Sequence, residues 1–142
     1  MNHQHVLDWR LCHGSKYRYD DLELATGLSR RQLYRMRHQC TFGHAGLFTY
    51  GEALAIMCVH VAHINVRQHT AMVIDLAWKI DHATPDGEGF TAQIVEHTDG
   101  THTAHVCAVV WSHDSTVVHS INLRTLALTL ANAHAQLHTV RQ

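Results

Sequence analysis

The residues best placed to do chemistry are four arginines within eight positions: Arg30, Arg31, Arg35 and Arg37. They lie in the run Arg30-Arg31-Gln32-Leu33-Tyr34-Arg35-Met36-Arg37-His38, which holds no acid, glycine or proline. Leu33 and Met36 are three apart and turn to one helical face, leaving the other residues as a cationic, hydrogen-bonding face. Guanidinium groups suit phosphate, and Arg and Gln at the start of such a helix are the types that reach guanine and adenine edges. An ordinary solvated helix is the bland alternative, since arginine is a good helix former. The approach to the run sets it apart. Asp20 or Asp21 is expected to cap a first helix in which Leu22 and Ala25 share a face. Gly27 ends that helix, Leu28 plugs the turn and Ser29 caps the second helix. Two short helices joined through a glycine turn describe a helix-turn-helix. With no counter-charge inside the run, the pattern favours DNA.

The rest of the chain must position this unit. Its 142 residues, 46% of them apolar, suffice for one domain or two small ones with a real core. The net charge of −1 excludes a uniformly basic nucleic-acid binder. Residues 1–67 nevertheless carry eight Lys and Arg against five Asp and Glu, whereas residues 68–142 carry three against seven. A binding half and a half with another task are implied. Cys12, Cys40, Cys58 and Cys107 form no Cys-x-x-Cys pair, so reduced intracellular thiols are expected. The first ten residues lack an apolar signal core, and no apolar run is long enough to span a bilayer. The expected location is the cytoplasm.

In chain order, Val6, Leu7, Trp9 and Leu11 form a lead-in that covers one side of the core, and Tyr17 to Tyr19 a short extended segment. After the second helix, two glycines among aromatic residues between Thr41 and Tyr50 suggest a small hairpin or wing, or a plain loop. Gly51 to Ile64 reads as a third helix with Glu52 in its first turn, and Asn65 as a left-handed stop. Val66 to Asp81 reads as a fourth helix, with Trp78 off its apolar stripe. Residues 83–89 hold the only proline, two glycines and two acids, and form the expected linker between residues 1–82 and 90–142. Strands are expected at Phe90–His97, Thr103–Trp111 and Thr116–Ile121, with an Asp99-Gly100 turn and a final helix from Leu123 to His138. The fold class is therefore α+β: an N-terminal, mainly helical winged helix-turn-helix, then a small β-β-β-α unit for dimerisation or sensing. A tail this short packs on the first part or pairs with a twin.

Residues 17–36 (YRYDDLELATGLSRRQLYRM), 46–54 (GLFTYGEAL) and 56–80 (IMCVHVAHINVRQHTAMVIDLAWKI) together resemble the MerR family of winged helix-turn-helix transcription regulators. The likeness is to small, actinobacterial-looking members with an Ala-Thr-Gly-x-Ser-x-Arg-Gln core, here Ala25-Thr26-Gly27-Leu28-Ser29-Arg30-Arg31-Gln32. The resemblance implies a homodimer that binds a pseudo-palindromic operator and regulates transcription. Its arginine-rich helix would enter the major groove and its wing would contact the backbone. Arg30, Arg31, Gln32, Tyr34, Arg35, Arg37 and His38 then fall on the recognition helix, and Tyr17, Arg18, His44 and Thr49 near the opening strand and wing. Expected partners are double-stranded DNA, a second copy of the chain and RNA polymerase, with no membrane and no cofactor. The chain departs from the family at Glu23, where many members have Ala, in a short wing poor in Arg and Lys, and in lacking an obvious long dimerisation helix.

Other chemistries have weaker support. Cys58, His60 and His63 share a helix, and His134 and His138 are spaced i, i+4, but no segment supplies a full zinc set. Sixteen scattered histidines make accidental pairs common, so no metal site is expected, although a metal-responsive regulator using His and Cys is an alternative. Cys107 is expected mid-strand, as a buried structural cysteine, and Asp86 and Glu88 sit in the linker, so the chain does not read as an enzyme. A helix-turn-helix adaptor or antirepressor acting through protein contact is the rival from another class. Histidine charges near pH 6.5, so charging part of the set would make the protein strongly positive. DNA affinity is therefore expected to rise as pH falls from neutral at fixed salt. A flat affinity profile over that range would remove the idea.

Overall fold

The structure, a computed structural model, describes residues 13–84, 89–107 and 115–140. These residues form a mixed α+β fold with five helices and two small antiparallel sheets. The first part comprises β1 (Lys16–Tyr17), α1 (Tyr19–Thr26), α2 (Arg30–Cys40), β2 (Phe48–Thr49), α3 (Tyr50–Val61) and α4 (Thr70–His82). The second comprises β3 (Thr91–His97), β4 (His102–Val106), β5 (Ser115–Asn122) and α5 (Leu123–Val140). Strand β1 pairs with β2, and the second sheet has the order β4-β3-β5.

Capping chemistry sets the helix starts. The cap of α1 is Arg18, not Asp20 or Asp21. Asp21 lies one turn inside and reaches back, its Oδ2 accepting from the Arg18 backbone N–H at 2.8 Å. Gly27, at φ 79°, ends α1 with its N–H donating to the Glu23 carbonyl. Ser29 caps α2 reciprocally: its Oγ accepts from Gln32 N at 3.1 Å, and Gln32 Oε1 accepts from Ser29 N at 2.9 Å. Thr49 and Glu52 repeat this arrangement at α3.

Helix α3 is the centre of the molecule. Every residue from Tyr50 to Val59 except Glu52 is buried, so the helix is apolar nearly all round, as a fully enclosed helix must be. Helix α4 packs on it through Met72, Val73, Leu76, Ala77 and Ile80. The two backbones approach closely at Gly51. A Cβ there would overlap the Ala77 carbonyl oxygen and lie 2.6 Å from Asp81 Cγ. Asp81 uses the closeness, accepting from Gly51 N and from Thr49 Oγ1, both at 2.7 Å.

One apolar core serves both parts. Tyr17, Leu22, Leu33, Phe48, Leu54 and Ile80 belong to the same buried cluster as Phe90, Ile94, Ala104, Leu123 and Leu130. The core thus spans the stretch expected as a linker, of which residues 85–88 lie outside the described residues. So do Val6, Leu7, Trp9 and Leu11 of the expected lead-in. The β3–β4 turn uses Gly100 at φ 86°, and hydrogen bonds from Thr101 hold the Asp99 carboxyl below its usual range.

Several boundaries differ from expectation. Helix α3 stops at Val61, and His63, at φ 56°, takes the left-handed conformation expected of Asn65, whose φ is −76°. Val66–Gln68 form a 3-10 turn, so α4 starts at Thr70 rather than Val66. Strand β4 ends at Val106, short of Trp111, and residues 108–114 lie outside the described residues.

The helix contact yields a test. Replacing Gly51→Ala should destabilise the fold by about 1–3 kcal/mol, the usual cost of overpacking, read from urea unfolding. Unchanged stability would mean that α3 and α4 do not approach so closely.

Candidate nucleic-acid interface

Helix α2 buries Leu33 and Cys40 and half-buries Met36 against the core. Arg30, Arg31, Gln32, Tyr34, Arg35 and His38 are exposed on its other sides. The arginines nevertheless fall into three situations. Arg30 forms ion pairs with Asp20 and Glu23 of α1, and its guanidinium lies 5.4 Å from the Tyr19 ring centre. Counter-charges absent from the run itself are therefore supplied by the preceding helix. Arg37 is half-buried and turned inward, with Nε donating to the Phe42 carbonyl at 2.9 Å and a terminal nitrogen to Tyr19 Oη at 3.2 Å. It ties the end of α2 to the start of α1. Arg31 and Arg35 have no ion pair or hydrogen bond among the described residues, and their i, i+4 spacing puts them on one face.

The other candidates divide in the same way. Tyr34 is 52% exposed, its ring centre 4.2 Å from that of His38. Gln32 uses its amide oxygen for the cap of α2. Arg18 is exposed at the cap of α1. His44 is exposed at the base of a two-residue hairpin in which it exchanges backbone hydrogen bonds with Leu47 at 3.0 and 3.1 Å. The turn residues Ala45 and Gly46 have φ of 54° and 77°, the positive pair that tight hairpins require. Thr49 is half-buried, and its hydroxyl is engaged with Glu52 N and Asp81.

Arg35 has polar and cationic neighbours that no motif in the sequence marks. A cleft of about 430 Å³ is lined by Gln32, Arg35, Gln39, His60, His63 and Arg67, among others. Arg67 stands on the 3-10 turn, exposed, and adds a cation beside α2. Its only sequence signal was its isolation: no other Lys or Arg lies between Arg37 and Lys79.

The remaining chemistries also resolve. Cys58 is fully buried, and burial pushes its thiol up to about 12; burial raises that of Cys40 to about 11. Cys58, His60 and His63 do not converge. Among the described residues one His/Cys/Asp/Glu group does, namely Asp21, His134 and His138. Cys107, expected to be buried mid-strand, is instead exposed just past the end of β4 at φ 59°. Burial, and then the charge of Lys79, hold the nearby His105 imidazole below its usual range.

Comparison of the chain with protein-family models, with curated proteins and with solved structures gives no match in any of the three. No helix among the described residues is long and apolar enough to cross a membrane.

At about pH 8, iodoacetamide should label Cys107 in the native protein well before Cys40 and Cys58, because only a thiolate reacts and burial suppresses it. Peptide mass mapping reads the order. Equal rates at all three would contradict the burial of Cys40 and Cys58.

Proposed function

We propose that this chain is a sequence-specific, double-stranded DNA-binding regulator of transcription, without catalytic activity of its own. In this reading α1, the Gly27 turn and α2 form the helix-turn-helix, and the β1–β2 sheet with the His44–Leu47 hairpin is its wing, as in the MerR-like arrangement. The observation that carries the reading is the pair Arg31 and Arg35, exposed together on one face of α2 with no partner among the described residues. A helix anchored by Leu33 and Cys40 holds that face outward, and Arg67 extends it. Guanidinium groups presented on a rigid element bind phosphate by releasing condensed counterions. Gln32, Tyr34 and His38 supply the remaining exposed hydrogen-bonding groups on α2, and Arg18 and His44 flank it. Arg37 and Thr49 serve by holding the unit together rather than by contact.

A homodimer suits a pseudo-palindromic operator. Strand β5 offers it a surface: it is an outer strand of the β4-β3-β5 sheet, and its Val117 and Val118 are exposed. Contact with RNA polymerase belongs to the same reading.

The test is salt-dependent binding to random duplex DNA. Affinity should fall steeply as salt rises, and Arg31→Ala with Arg35→Ala should weaken binding and flatten the log–log salt slope by about two, one per lost phosphate contact. The thermal midpoint should barely move, since both side chains are exposed. Absence of salt-dependent binding in the parent would instead favour the adaptor acting through protein contact. Exposed Tyr34 and Leu24 would suit that rival.

A further inference from the structure

Among the described residues, one group of three metal-ligating side chains has its ligand atoms mutually close, and it draws on distant parts of the chain. Asp21 lies in the first turn of α1, and His134 and His138 are one turn apart on α5. One ligand atom from each lies within 4.8 Å of the others. His134 Nδ1 is 3.1 Å from Asp21 Oδ1, and the two imidazole ring centres are 4.1 Å apart. Two ligands on one tetrahedral zinc ion are about 3.3 Å apart, given metal–ligand bonds near 2.0–2.1 Å. The Asp21–His134 pair is therefore already at bonding span. His138 is exposed and needs only a small swing to close the set.

We propose that Asp21, His134 and His138 form a site for a divalent transition metal of the zinc class, which clips α5 onto α1. The donor set is two nitrogens and one oxygen, which suits zinc, cobalt or nickel rather than calcium or magnesium. A second observation points the same way. Asp21 is 3% exposed, and its described hydrogen-bond partners are the Arg18 backbone N–H and the His134 ring. A carboxylate taken out of water is stabilised by hydrogen bonds and by opposite charge, and a divalent ion at this spot would supply charge to Asp21 and a common centre for both imidazoles. The buried ring of Tyr17 packs edge-on against that of His134, 5.4 Å between centres, and restrains the imidazole. The exposed edge at His138 leaves a path for the ion and room for water as a fourth ligand. Asp20 and Glu23, the other acids of α1, are paired with Arg30. This site is independent of the DNA-binding reading.

The test uses the full chain with Co²⁺ and Zn²⁺ alone as probes. One equivalent of Co²⁺ should bind with visible absorption typical of low coordination number, and Zn²⁺ should raise the thermal midpoint. His138→Ala should weaken Co²⁺ binding by at least about tenfold and abolish the zinc-dependent rise. Its metal-free midpoint should match the parent, because His138 is exposed. Asp21→Asn, which keeps the shape and an acceptor for the Arg18 N–H, should weaken binding likewise. His82→Ala, which removes an exposed histidine stacked on Trp78, should change nothing. Equal binding by the parent and His138→Ala, or equal loss in His82→Ala, would mean scattered surface histidines alone take up metal and would overturn the site.

Discussion

The structure depends on a single carboxylate at the end of α4. Asp81 accepts hydrogen bonds from the Gly51 amide and the Thr49 hydroxyl, and so joins the last turn of one central helix to the first turn of the other. Its own backbone carbonyl also accepts from His13 Nε2 at 3.0 Å. An acid at a helix N-terminus satisfies an otherwise orphan donor and complements the helix dipole. Because Thr49 also belongs to β2, which pairs with β1, this junction fixes where the short sheet lies and therefore where α1 begins.

From that anchor the molecule builds outward in both directions. Toward the N-terminus, Phe48 and Tyr17 fill the space beneath the sheet, and Tyr19 stands edge-on to Phe48 at 5.2 Å. Toward the C-terminus, Lys79 reaches from α4 to the Ala104 carbonyl of β4 at 2.7 Å while paired with Asp75. The three-stranded sheet then returns the chain to α5, which lies against α1 and α3. The first and last helices of the described fold are thereby neighbours.

Local chemistry was legible where a residue's role is set by its near neighbours. Ser29 as a cap, Gly27 and the Asp99-Gly100 turn all act within four residues, and each could be read directly, whereas the return bond from Gln32, read as a DNA contact, emerged only in the fold. Roles set by distant contacts could not. Arg37 looks like its neighbours in sequence, and only the position of Tyr19 and Phe42 turns it inward. Gly51 reads as a routine helix start until Ala77 and Asp81 arrive beside it. The helix stops at Val61 because His63 rather than Asn65 takes the positive φ; both types are enriched in that conformation, so residue type alone does not choose between them. The meeting of Asp21 with His134 spans more than a hundred residues, and nothing in the spacing of either announces it. The acids that pair Arg30 were visible in the sequence, but the turn that swings them alongside α2 had to be seen.

That last arrangement has a consequence for selectivity. An anion that approaches α2 finds Arg31 and Arg35 available at once but must compete with two carboxylates for Arg30. Weak, sliding encounters leave the third guanidinium where it is. Only a ligand held long enough and in the right register repays its release. In the proposed DNA-binding role, the acids of α1 would act as a threshold, trading strength of indiscriminate adhesion for contrast between a good fit and a poor one.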